Sequence, residues 1–347
     1  MNINRTLSEE LSEVNLGEYG CWQDELDRFV EWDGTFMGRQ EEAGRIIERI
    51  MTAHQKEELF QCVVELARVE RGIRELKPKV RDHVVHALLS FILGMYVNEC
   101  FMDATQRATV TSLQWKLAGM FHDVAYPVQI APDIMRPFAE TMNSIRDRLG
   151  VPAPDVFFRV VPVGLELLQH GKNALQLLQN VVDEWGLAVR VGQEYENMIN
   201  STHICHGMIS SLAVMHVIDL MYERCNPQRK REPVVVQNTD WNQVHFERQV
   251  VPACAAIFLH NLPERCFRNA RIDTKRAPLP FLLKLCDTLQ DWERPSACNP
   301  RGLSPERFDI TVEHGRLVFQ AEVEAERKEK YKRELSSTLI AHDIIVQ

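Results

Sequence analysis

The sequence lacks the paired cysteines that would define a disulfide framework or a thiolate zinc site. None of its nine cysteines forms a C-x-x-C pair, and their number is odd. Several, including Cys100, Cys254 and Cys286, lie in apolar runs, where thiols are usually buried and inert. We therefore expect reduced thiols, as in a cytoplasmic protein.

The chain also lacks an excess of basic charge. Lys and Arg total 40 against 49 Asp and Glu, so the net charge is -9. A protein that binds long nucleic acids usually carries a basic balance or a basic stripe. The one short basic cluster, at residues 229–231, is typical of solvated surface. Bulk nucleic acid is therefore disfavoured as a partner, whereas a small nucleotide is not.

A third absence is a long apolar run or a targeting segment. The longest apolar stretch, Ala87–Val97, is too short to span a bilayer and is typical of a buried helix. The N-terminal 15 residues are polar and acidic, unlike a signal or transit peptide. We expect no membrane partner and a cytoplasmic location, and 45% apolar residues are enough for a sizeable core.

Periodicity predicts a mostly α protein. Apolar residues recur at helical spacing over 41–75, 81–100, 109–124, 131–200, 202–223, 251–260 and 280–292, with a break at Pro152 and Pro154. The character changes after Pro295. The segment "RFDITVEHGRLVFQAEV" alternates like two strands joined at His314-Gly315, and a charged helix follows. A small C-terminal β-hairpin plus helix is therefore expected.

Five apolar helices carry a lone polar residue or pair that would be costly to bury. They are the runs "VVHALLSFILG", "LAGMFHDVAYP", "HICHGMISSLAVM", "PACAAIFLHNLP" and "LPFLLKLCDTLQ". One histidine in an apolar helix is more often a satisfied core residue than a ligand. Five such runs in one chain favour a shared explanation, because a buried carboxylate costs several kcal/mol unless it is paired or metal-bound. A metal centre would satisfy six residues together: His86, His122, Asp123, His206, His260 and Asp287.

The order of these residues, H…HD…H…H…D, resembles the HD superfamily of metal-dependent phosphohydrolases. The resemblance covers roughly residues 78–295. It rests on the adjacent His122-Asp123 in "AGMFHDVAYP". His86 in "VHALLSFILG" precedes this pair, and three residues follow it: His206 in "HGMISS", His260 in "AIFLHN" and Asp287 in "LLKLCDTLQDW". A second His-Asp pair, His342-Asp343, lies outside the ordered set and is assigned no role.

The resemblance implies an HD-type helical bundle with this domain organisation: residues 1–77 as an N-terminal helical extension, 78–295 as the metal phosphohydrolase domain, and 296–347 as a small α+β segment. The long separation between Asp123 and His206 suggests a helical insertion at about 130–200. Three features of related branches are missing. Neither Gly-Lys nor Gly-His-Pro follows the pair, and there is no Gly-Tyr-Pro signature. Cyclic di-GMP specificity therefore does not carry over.

The implied cofactors are two divalent metal ions, drawn from Mn, Fe, Co, Ni, Zn and Mg, because imidazole and carboxylate ligands suit these ions. Asp123 is the expected bridge between them and a catalytic residue, since it directly follows a ligand histidine. His83 and His203 each precede a ligand histidine by three residues. Either could contact phosphate or transfer a proton, and a surface or supporting role is about equally expected.

Three functions remain open from the sequence. The leading one is hydrolysis of a small phosphorylated metabolite or nucleotide by metal-activated water. The alternative is a non-catalytic regulatory module that binds nucleotide or metal. A nuclease is discouraged by the acidic balance. Neither the substrate nor the oligomeric state follows from the sequence.

Overall fold

A computed structural model describes residues 28–31, 35–53, 56–73, 77, 80–103, 110–150, 164–201, 203–225, 235–236, 239–240, 243–296, 298–299 and 302–347. The protein is mostly helical in these ranges, as the periodicity predicts. The expected break at Pro152 and Pro154 lies outside the described residues.

We number the main helices α1 (Phe36–Ala53), α2 (Phe60–Ile73), α3 (Val84–Val97), α4 (Ser112–Phe121), α5 (Tyr126–Leu149), α6 (Ala174–Glu184), α7 (Val191–Asn200), α8 (His206–Cys225), α9 (Val251–His260), α10 (Pro278–Leu289) and α11 (Ala325–Thr338).

The core is built around α3, which is apolar on all sides because it is covered on all sides. Every residue from Val84 to Gly94 is buried. Helices α1, α4 and α10 pack against it, and α9 packs against α4, α8 and α10. Together with the turn that follows it, the segment Val84–Met102 has the length and hydropathy of a membrane span. However, 72% of its most apolar window is buried within the protein. It has the burial expected of a core helix.

Two helix starts differ from the predicted ones, and both concern histidines. α3 begins at Val84, so His83 is its N-cap residue and not part of its first turn. α8 begins at His206, so His203 lies before the helix and does not share a face with His206. Residues three apart share a face only within a helix, so a face shared by His203 and His206 is ruled out. His83 stays aligned with α3, because its carbonyl accepts a 2.9 Å hydrogen bond from the Ala87 N–H. Apolar periodicity continued past the true starts because the preceding segments are themselves partly buried.

The region predicted as an insertion begins within α5, which runs from Tyr126 to Leu149 without a break at residue 130. Its second part, α6 and α7, follows a range that the structure does not describe. α6 packs against α9, the helix that carries His260. This part of the region thus lies directly on the core.

The predicted C-terminal hairpin is confirmed. Strands β3 (Phe308–Glu313) and β4 (Arg316–Ala321) pair antiparallel through a turn in which His314 and Gly315 both have positive φ, the geometry of a tight hairpin. Periodicity missed a third strand. β5 (Ile344–Val346) pairs parallel to β4 and places His342-Asp343 at its start. Two further short strands, β1 (Val235–Val236) and β2 (Thr239–Asp240), pair antiparallel between α8 and α9. The expected charged helix is α11, which packs against α10 and so brings the C-terminal segment beside the helix that carries Asp287.

Candidate metal centre

Four helices and one turn place the six predicted ligands around one point. His86 lies in α3, His206 begins α8, His260 ends α9 and Asp287 lies in α10, while His122 and Asp123 follow the last residue of α4. Five of these six side chains are at most 10% exposed, whereas Asp287 is 23% exposed. The cluster is therefore buried, with an opening at Asp287.

The two carboxylate oxygens of Asp123 face two different pairs of histidines. Oδ1 lies 3.0 Å from His206 Nε2 and 3.7 Å from His260 Nε2. Oδ2 lies 3.5 Å from His122 Nε2 and 3.7 Å from His86 Nε2. Each pair together with Asp123 forms a group that could hold a metal ion. Both groups share Asp123, the residue that the sequence predicts as a bridge.

Asp287 adds a second carboxylate to the group formed by His86, His122 and Asp123. Its Oδ1 lies 3.2 Å from His86 Nε2 and 3.7 Å from His122 Nε2. Lys284 lies one helical turn earlier, with Nζ 4.0 Å from Asp287 Oδ2. Within ion-pair distance, the described residues thus offer two carboxylates to the His86–His122 pair and one to the His206–His260 pair.

All four histidines are oriented by an oxygen atom at Nδ1. His122 donates to the Gly119 carbonyl at 3.0 Å, and His260 donates to the Ile257 carbonyl at 2.6 Å. A carbonyl can only accept, so Nδ1 carries the proton and Nε2 keeps its lone pair. These two bonds lie within the turn that presents each histidine, so local backbone sets both rings.

Side-chain amides perform the same task for the other two histidines. Gln290 Oε1 accepts from His86 Nδ1, while its Nε2 donates to the Trp292 carbonyl at 2.6 Å, which fixes the orientation of the amide. Gln129 Oε1 lies 2.7 Å from His206 Nδ1 and also accepts from the His206 backbone N–H at 3.0 Å. Sequence reasoning missed both glutamines. The available signal for Gln290 was its position one turn after Asp287.

This arrangement turns the Nε2 atoms within each histidine pair towards each other. The Nε2 atoms of His86 and His122 are 3.3 Å apart, and those of His206 and His260 are 3.1 Å apart. Where both Nδ1 atoms of a pair carry the proton, both Nε2 atoms are acceptors, and a cation bound between them makes the contact favourable. The donor set, imidazole nitrogen with carboxylate oxygen, fits a divalent transition metal or Zn. The residues present therefore fit the expected ions.

The charges of the cluster also suit metal binding. Although burial by itself would raise them, the surrounding histidines hold the pKa values of Asp123 and Asp287 well below the usual range, so both are ionised. Burial lowers the pKa of His86 to about 4 and also lowers that of His260, so these rings are neutral near pH 7. His122 differs. Burial opposes its charge, but Asp123 and Asp287 raise its pKa above the usual value.

His83 lies beside the cluster. It is buried, its Nδ1 bonds to the Glu70 carboxylate, and its ring stacks on Tyr126 at a centroid distance of 3.7 Å. Tyr126 in turn contacts the His206 ring edge-on at 5.7 Å. Burial lowers the pKa of His83 to about 3, so the ring is neutral and its Nε2 can accept a hydrogen bond. The sequence contained no signal for the Glu70 partner.

The structure does not bring His203 to the cluster. It is exposed in the extended segment before α8, where its backbone exchanges hydrogen bonds with the Ser201 hydroxyl. His342 is also exposed, in the turn that precedes β5.

Comparison with protein-family models, curated proteins and solved structures finds no match to this chain.

Proposed function

We propose that the protein is a metal-dependent phosphohydrolase of the HD type, acting on a small phosphorylated metabolite or nucleotide. The observation that carries the proposal is the division of the Asp123 carboxylate between two histidine pairs, 3.0–3.7 Å from each Nε2. A bridging carboxylate flanked by two ligand sets is the arrangement expected of a dinuclear centre. The ordered H…HD…H…H…D set in the sequence supports the same assignment.

Each residue has a task in the proposed reaction. Asp123 is shared by both ion sites, His86, His122 and Asp287 belong to one, and His206 and His260 belong to the other. Bound divalent ions would polarise the phosphoryl oxygens and activate water for attack on phosphorus. The glutamines and carbonyls at the Nδ1 atoms hold the imidazoles in the ligand tautomer, which supports affinity at this kind of site.

The environment supports this chemistry. The cluster is enclosed by apolar helices, so its charges act in a medium of low dielectric, and substrate approaches at the partly exposed Asp287. Of the two histidines considered for proton transfer, His83 lies beside the cluster, through its contact with Tyr126, and His203 does not. Glu70 fixes the Nδ1 of His83 and leaves its Nε2 as a hydrogen-bond acceptor. We propose no role for His203.

The test uses the full-length protein, stripped with EDTA and reloaded with Mn, Fe, Co, Ni, Zn or Mg. Phosphate release or diester cleavage is measured over mono-, di- and cyclic nucleotides and sugar phosphates. We expect turnover with at least one metal and loss of it in Asp123→Asn, but not in Asp343→Asn, which changes the other His-Asp pair. Turnover at the wild-type level in Asp123→Asn would refute the proposal. Nucleotide binding without turnover would instead support the regulatory module.

A further inference from the structure

A cavity of about 180 Å³ lies beside the metal centre, where the C-terminal segment meets α10. Four cationic side chains line it: Arg81, Arg294, Arg327 and Lys330. Asp287 also lines it, and it is the most exposed of the six candidate ligands. We call this space the Arg294 cavity. It opens from the side of the centre that is accessible to solvent.

Three of the four cations have carboxylate partners. Asp291 pairs with Arg81 and, at 2.5 Å, with Arg327 Nη2, and it also accepts a hydrogen bond from the Tyr331 hydroxyl at 2.5 Å. Lys330 Nζ lies 3.6 Å from Glu334. The charge of Asp291 is therefore shared by two arginines, so the wall of the cavity keeps a cationic excess.

Arg294 has no carboxylate within ion-pair distance among the described residues. Within the described ranges, its Nε is buried and has no hydrogen-bond partner. The backbone nevertheless holds this residue in place. At Gly302, which has a φ of +72°, a Cβ would lie 2.6 Å from the Arg294 backbone nitrogen, so only glycine allows this close approach. Asp123, Asp287 and Asp291 act on its charge only through space, and a buried guanidinium that keeps an N–H without a partner is stabilised further when an anion binds it.

The cavity has the size for a phosphate group and not for a whole nucleotide. Pockets that enclose a complete small molecule usually measure roughly 300–1,000 Å³. Of the six candidate ligands, only Asp287 lines this cavity; the four histidines and Asp123 do not. An anion in it would therefore lie beside the centre and not over it.

We propose that the Arg294 cavity binds a phosphate group of the substrate other than the one under attack, so that the substrate carries at least two phosphates. The identity of that substrate rests on the proposed function, but binding of an anion in the cavity does not. Arginine suits this task because its planar guanidinium matches phosphate oxygens in paired hydrogen bonds. Two of the cavity's cations come from α11, so the C-terminal segment takes part in substrate recognition.

The probe is inorganic phosphate, titrated calorimetrically into the full-length protein in EDTA at low ionic strength, so that no metal contributes. The wild type is expected to bind one phosphate per chain. Arg294→Gln should weaken binding roughly tenfold or more, because it removes a charge-assisted hydrogen-bonding group, and Arg294→Lys should recover part of the loss.

A surface variant guards against misfolding of Arg294→Gln. Lys330 is 55% exposed at the rim of the cavity, so Lys330→Gln leaves packing intact and should weaken binding roughly two- to fivefold. Lys332→Gln is the matched control: it makes the same change two residues along α11, at a position that does not line the cavity. It should bind phosphate as the wild type does.

Two results would overturn the inference: no phosphate bound by the wild type, or equal binding by the wild type, Arg294→Gln and Lys330→Gln. Failure of the proposed function is separate, since it would show as absent metal binding or absent turnover in metal-loaded protein. Both of those readouts require bound metal, so neither affects the phosphate titration, which is carried out in EDTA.

Discussion

Replacing Asp123 by asparagine tests whether one carboxylate serves two ion sites. The change preserves shape but removes the negative charge and converts one ligand oxygen into an amide nitrogen, which cannot bind metal. Among the described residues, the His206–His260 pair then has no carboxylate within ion-pair distance, whereas the His86–His122 pair still has Asp287, 3.2 Å from His86 Nε2. We therefore expect at most one ion per chain in the variant, against two in the wild type.

The expected thermal shift follows from the number of sites. One site at a free ion concentration of 100 times Kd stabilises the folded state by about 2.7 kcal/mol, so two independent sites contribute about 5 kcal/mol. For 347 residues, an unfolding entropy of about 2.1 cal/mol/K per residue amounts to about 0.7 kcal/mol/K. Saturating metal should therefore raise the Tm of the wild type by about 7 °C, and that of Asp123→Asn by about 4 °C at most.

The assay is differential scanning fluorimetry with and without Mn²⁺, paired with elemental analysis of the same samples. Asp343→Asn is the matched control and should keep the full shift. His86→Gln and His206→Gln should each halve it, because each removes a ligand of only one site. A full shift and two ions in Asp123→Asn would refute the bridging role, and full loss in one histidine variant with none in the other would indicate a single ion.

Three further predictions concern residues around the centre. Gln290→Leu leaves His86 Nδ1 without its acceptor and should weaken metal affinity by roughly 10–100-fold, as measured by competition with a chelating dye. Gly207→Ala should cost about 1–3 kcal/mol in the urea unfolding free energy and also lower metal content, because the added Cβ would lie 2.9 Å from His260 Cε1; unchanged stability and metal content would contradict this packing. Asp82 is buried, and burial followed by Glu70 raises its pKa to about 7. The folded state therefore holds a proton that the unfolded state releases above about pH 4, so stability should fall as pH rises from 4 to 7, by up to about 4 kcal/mol. Asp82→Asn should flatten this decline when unfolding is measured in EDTA, and an unchanged pH slope would contradict the raised pKa.

The candidate centre was predictable because its residues break a local rule. A histidine or aspartate inside an apolar helix is costly to bury without a polar partner, and its position can be read from the sequence alone. The order of the six residues then favoured one shared partner over separate explanations. The structure brings all six together, and the mostly helical fold with a C-terminal hairpin agrees with the periodicity.

Other features had no local signal beyond the position of Gln290 one turn after Asp287. Gln290 and Gln129 are ordinary polar residues in the sequence, and their tasks depend on which histidine ring faces each amide. The helix starts at Val84 and His206 were misplaced because buried segments before a helix continue its apolar pattern. β5 was missed because three residues are too short to establish an alternation, and only pairing with β4 makes them a strand.

The sequence by itself determined the ligand chemistry, since residue type and order set which atoms could bind metal. Only the tertiary structure decided how those atoms are shared: Asp123 faces two histidine pairs because α3, α8 and α9 converge on the turn after α4. It also decided that Arg294 lies next to Arg81 and to two cations of α11, positions far apart in the chain. The physical reason is that the position of a side chain within its element is a local property, whereas the distance between two elements is set by the packing of the whole core.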